Sequence, residues 1–197
     1  NNIIFNTLAE GTYDNCKISV TDNASNTSDN LSVSSFTIDK TAPTLTQVTA
    51  VPPHDNDTTP NYTFNSNESG TITYLGSCSS SSNDNISVDG DNTITFNALA
   101  GNTAYDNCKI KVTDNASNIS NALSVNPFYI DTTAPTVFST SPADNQSSVS
   151  VNDNISVTFS ESMNTTSVTT NTSNTNCSGS FQVSSDNFNS CVRMGSS

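Results

Sequence analysis

Oxygen ligation of a hard cation and disulfide formation are the chemistries that this set of side chains supports. Eighteen Asp and Glu stand against five Lys and Arg, with five Cys and a single His in 197 residues. A Ser or Cys triad would need an imidazole, and His54 sits beside Pro52, Pro53, Asp55 and Asp57 in what reads as a solvated loop. Zinc lacks its ligands, because no CxxC occurs and His54 stands alone. Glu10, Glu68 and Glu161 lie far apart, and nothing puts two of them on one face as a glycosidase requires. The serine run 79–82 reads as a solvated loop. These residues predict no enzyme.

The cysteines make sense once a repeat is recognised. Residues 13–44 read YDNCKISVTDNASNTSDNLSVSSFTIDKTAPT and residues 105–136 read YDNCKIKVTDNASNISNALSVNPFYIDTTAPT, with Cys16 and Cys108 standing 92 residues apart. A period of this length means tandem copies of a small domain, not turns of a solenoid. Cys78 and Cys108 then form a pair within one module, and Cys177 and Cys191 form a second pair in a third, different module. The partner of Cys16 is expected 30 residues upstream, before residue 1, which leaves Cys16 unpaired within this chain. Such pairs suggest disulfides and an oxidising compartment; buried free thiols are the alternative.

Strands must position these residues. Apolar residues alternate in short runs separated by Asn, Asp, Gly and Pro, with no sustained 3.6-residue period, which is the pattern of an all-β sandwich. Strands are expected near 45–51, 61–66, 71–75, 86–88, 93–97, 107–113 and 123–130. The implied domains are 1–42, the C-terminal part of a first module; 43–132, a complete module; and 133–197, the N-terminal part of a third of different type. Tyr13 and Tyr105 enter the strand that carries the cysteine, which suits a tyrosine corner or an ordinary half-buried strand Tyr. Thr-Ala-Pro-Thr at 41–44 and 133–136 makes short, stiff junctions.

Composition narrows the partners. A net charge of −13 with five Lys and Arg builds no basic stripe, so nucleic acid and anionic membranes are excluded as partners of this segment. No apolar run approaches the roughly 20 residues of a membrane span, and no charged-then-apolar leader opens the sequence. At 32% hydrophobic the chain has material for only thin cores. The Asn-x-Ser/Thr triplets follow from composition and say little about glycosylation.

The phrase VTDNASN (20–26, 112–118), followed by an apolar strand and D-x-T-A-P-T (39–44, 131–136), resembles the bacterial Ig-like repeats of large surface adhesins. Residues 134–168, with SPAD, an alternating strand and FSESM, resemble the bacterial Ig-like type of surface-layer and other exported proteins. The resemblance implies tandem immunoglobulin-like β-sandwiches in a linear array, an extracellular or cell-surface location, and calcium at module junctions. Many such repeats read VTDxAGN where this chain has Ser25 and Ser117, so the loop is expected to follow a different path here.

Ig-like topology gathers the carboxylates. It brings Glu68, from the turn at 65–70, and Asp114, from VTDN, toward Asp39 in the preceding linker, and Glu161 toward Asp131 in the next. Carboxylates grouped without Lys or Arg suit Ca²⁺, which takes six to eight oxygens. The expected function is a structural stalk or spacer of a secreted or surface-attached protein, its partners being neighbouring Ig-like modules. Two alternatives remain. One is a self-assembling filament in which residues 136–197 complement residues 1–39 of an identical subunit, with Cys16 meeting Cys177. The other is an accessory module that binds carbohydrate or protein.

Overall fold

A computed structural model describes residues 2, 4–81 and 90–195. Among them every regular element is a strand, and the chain divides into two compact units, residues 1–132 and 133–197. The first unit holds β1 (Gly11–Tyr13), β2 (Lys17–Ile18), β3 (Leu31–Ser32) and β4 (Phe36–Ile38), then β5 (Leu45–Thr49), β6 (His54–Asp55), β7 (Asn61–Ser66), β8 (Thr71–Leu75) and β9 (Gly90–Thr95). It continues with β10 (Thr103–Tyr105), β11 (Lys109–Thr113), β12 (Leu123–Ser124) and β13 (Phe128–Ile130). The second unit holds β14 (Val137–Ser141) and β15 (Ser156–Phe159).

Residues 43–131 make a sandwich. One layer is β5-β7-β9, and the facing strands are β8-β11-β12 and β10-β13-β6. Period-two alternation turns Tyr62 and Phe64 of β7, Ile72 of β8, Ile94 of β9 and Ile110 and Val112 of β11 into one core. The Cys78–Cys108 disulfide ties the end of the β8 turn to the start of β11 across 30 residues of chain. Closing a loop of that size contributes on the order of 3 kcal/mol to a domain with so small a core.

The expected strands at 61–66 and 71–75 coincide with β7 and β8. The one near 86–88 lies outside the described residues. The run 123–130 is not one strand but two, β12 and β13, which pair with different neighbours. His54 is not in a loop: it forms β6, which pairs in parallel with β13, and its ring lies 6.0 Å from that of Tyr129. Prolines on both sides hide that short strand from a propensity reading. Tyr105 is a tyrosine corner in effect, its hydroxyl accepting from Ala100 N at 2.7 Å, five residues upstream.

Residues 1–40 repeat half of this architecture. The β1–β4 and β2–β3 pairs correspond to β10–β13 and β11–β12, register included. Even the loop bonds recur: Val33 N donates to Cys16 O at 2.9 Å as Val125 N does to Cys108 O at 2.9 Å.

In the second unit β14 and β15 pair antiparallel with a bulge, and Cys177 bonds Cys191. That bond removes Cys177 as a partner for Cys16 and with it the covalent link of the filament alternative. The buried Asn171 organises the segment around the disulfide. Its amide donates to Val192 O at 2.9 Å, and its carbonyl accepts from Ser178 N at 3.0 Å.

Candidate cation-binding site

Three segments of the first unit meet at one end of the sandwich. Asp39 follows β4, Glu68 sits in the turn between β7 and β8, and Asp114 follows β11. One carboxylate oxygen from each lies within 4.8 Å of the others.

Asp114 is fixed by its own loop. Its Oδ1 accepts from Ala116 N and Asn118 N, both at 2.8 Å, and its Oδ2 accepts from the Asn118 amide at 2.9 Å. This is the Asx geometry that Asp favours in turns. Burial raises the carboxyl pKa, but the bonds from the Asn118 side chain and the backbone of Asn118, Ala116 and Ser117 outweigh it and hold the group below its ordinary value. The loop does not take the different path expected from the missing Gly. Ser25 and Ser117 adopt φ of 69° and 73°, the left-handed conformation that Gly would enter without strain. The Asp carboxylates at 22 and 114 bind the backbone on either side of each Ser and hold it there.

Glu68 is placed by contact. The buried Ser66 hydroxyl donates to Glu68 O at 2.7 Å. Gly70 brings the turn against β11 so closely that a Cβ would lie 2.3 Å from Thr113 O. Asp39 is tied in from the linker: its O accepts from the Asn118 amide at 3.2 Å and its Oδ1 from Thr41 N at 3.0 Å. Thr41 also donates its hydroxyl to Glu10 at 2.8 Å.

Electrostatics at Glu68 are one-sided. Burial, then the charges of Asp39, Asp114 and Glu10, push its carboxyl pKa up. These three neighbouring charges are all negative. A single Ca²⁺ holds oxygens at about 2.4 Å, so ligand oxygens on one ion stand up to about 5 Å apart, and this donor set fits.

The remaining expected pair falls on different units. Asp131 belongs to the first unit, where its N donates to Asp55 O at 2.8 Å. Glu161 belongs to the second, with Oε1 buried and without a hydrogen-bond partner among the described residues. The contribution of Asn118 and of Glu10 to the junction escaped sequence reasoning. The signal for Asn118 was the last Asn of VTDNASN, four residues after the Asp it serves.

A family model described as a bacterial Ig-like domain matches residues 131–192. No curated protein matches the chain. The match supports a bacterial Ig-like domain at residues 131–192, and the described sheets of both units are all-β. Ig-like domains are generally non-enzymatic, and those of the matched family occur in bacterial surface and exported proteins. Two disulfides agree with an oxidising environment.

Proposed function

We propose that the chain is a spacer segment of a bacterial surface protein, in which Ca²⁺ held by Asp39, Glu68 and Asp114 stiffens the link between consecutive Ig-like modules. The observation that carries this reading is the convergence of three carboxylates from two loops and a linker, with the charges of Asp39, Asp114 and Glu10 repelling that of Glu68. Repulsion at that point favours an open linker; a divalent cation converts it into a crosslink between the linker and the sandwich. Residues 41–44, with Pro43, give the link little freedom of its own. The bound ion would supply charge neutralisation and a coordination crosslink.

Calorimetric titration with Ca²⁺ and with Mg²⁺, read beside thermal unfolding, tests the proposal. Asp114 also shapes its own loop, so Glu68→Gln is the cleaner variant. Without metal it should unfold at a slightly higher temperature than the parent, because a repelled charge is gone. With saturating Ca²⁺ it should gain less than the parent, by about tenfold or more in affinity. Equal responses of parent and variant, or no heat with Ca²⁺, would remove the metal from the mechanism.

A further inference from the structure

The first repeat carries half of a core and nothing covers it among the described residues. Phe5 stacks on Phe36 at 5.8 Å and Tyr13 on Phe36 at 5.3 Å, reproducing Phe96 on Phe128 at 6.4 Å and Tyr105 on Phe128 at 5.2 Å in the complete sandwich. The rings agree, but their surroundings do not. Phe96 is 1% exposed and Phe5 56%; Val112 is 0% exposed and its counterpart Val20 66%. An open cleft of about 470 Å³, lined by Phe5, Leu8, Val33, Phe36 and Ile38, lies where the complete module has its facing layer. Cys16 keeps the backbone bond of Cys108 but has a free thiol.

The sister face shows what fits. In residues 43–131 the same rings and the same cysteine are covered by β5, β7 and β8, with Tyr62 stacked 6.1 Å from Phe96 and Cys78 bonded to Cys108. We infer that the exposed face of residues 5–38 is a docking surface for a strand set of the layout of residues 45–78, closed by a disulfide to Cys16. The occupant is a half-sandwich of another repeat of this kind. A second copy of this chain does not supply it, because its residues 45–78 already cover its own Phe96 and Phe128, its Cys78 is bonded to Cys108, and its Cys177 to Cys191. This inference stands apart from the calcium reading, since none of the cleft residues is a carboxylate.

The closing step balances as thiol–disulfide exchange. The Cys16 thiolate attacks the cysteine sulfur of a glutathione mixed disulfide on the incoming strand set. The Cys16 disulfide forms, and glutathione thiolate leaves. Oxidised glutathione is the oxidant.

The test joins a copy of residues 43–91 ahead of residue 1, where Asn1 and Phe5 follow as Asn92 and Phe96 do in the complete module. The intact chain runs beside it, in a glutathione redox buffer without calcium. Expected are loss of Cys16 alkylation, a Cys16 disulfide to the added cysteine by peptide mapping, and roughly 100-fold slower amide exchange at Val20. A control extension carrying Tyr62→Asp and Phe64→Asp in the added copy should leave Cys16 alkylatable and Val20 unprotected. The inference is overturned if the control closes the disulfide equally well, since tethering alone would then account for it. It is also overturned if the extension leaves Val20 unprotected, or if the intact chain alone dimerises and protects that amide.

Discussion

Tyr62 carries a hydroxyl into the centre of the first unit's core, fully buried and without a hydrogen-bond partner among the described residues, and burial pushes its pKa up to about 12. A buried hydroxyl without a partner costs on the order of 1 kcal/mol or more. Tyr62→Phe keeps the stacking on Phe64 and Phe96 and removes that cost, so chemical denaturation should show a gain of about 1 kcal/mol. A loss instead would mean that the hydroxyl is satisfied in solution. Ser117 makes a different point at the same scale: its left-handed φ was not legible from residue type, since Gly is the usual occupant of such a position. The information lay three residues earlier, in the Asp114 carboxylate that binds the backbone around it. Asp186 repeats the device in the second unit. Bonds from the Ser190 hydroxyl and backbone and from the Ser184 hydroxyl hold its carboxyl at about 2.

Elements place the carboxylates, and the β7–β8 turn approaches β11 closely at Gly70. Gly70→Ala puts a methyl against a backbone carbonyl, which neither side avoids by turning a side chain. The expected outcome is a loss of about 1–3 kcal/mol in urea unfolding, together with weaker Ca²⁺ binding because Glu68 moves from Asp114. Unchanged stability would show that the turn shifts freely. Most elements of the complete sandwich were legible because alternation and turn residues coincide, as in β7 and β8. The interruption between β12 and β13 was not, because Asn126-Pro127 sits inside an otherwise continuous apolar run. Pro127 has no N–H for a ladder, and that could have marked the break.

At the scale of the whole molecule, the junction gives the first unit an unusual dependence on pH. Glu68 is raised, so its contribution is present below its unfolded pKa and lost as pH rises through the folded one. Asp22 and Asp114 are lowered by the hydrogen bonds of their loops, so theirs is present above the unfolded carboxylate value and lost as pH falls through the folded ones. Calcium-free unfolding should therefore show stability rising modestly as pH falls from neutral toward about 5, then declining below about 4. The Glu68→Gln variant should lack the rise and keep the decline. A monotonic fall in the parent from neutral pH would mean that the carboxylates do not meet in solution.

The two repeats separate what sequence decides from what only tertiary structure decides. Nearly identical residues at 13–39 and 105–131 give the same strand registers, the same Asx loops, the same left-handed Ser and the same stacked Tyr and Phe rings, because each of these rests on contacts within some tens of residues. The cysteine spacing and the acidic loops are likewise legible in the sequence. Burial was not. Val20 and Val112 have nearly the same neighbours in sequence, Ser19 standing where the second copy has Lys111, and opposite exposure, because burial depends on a second layer that local sequence does not contain. The same holds for the carboxylates: sequence supplied Asp39, Glu68 and Asp114, and only the packing of a linker against two loops brought their oxygens within the reach of one ion.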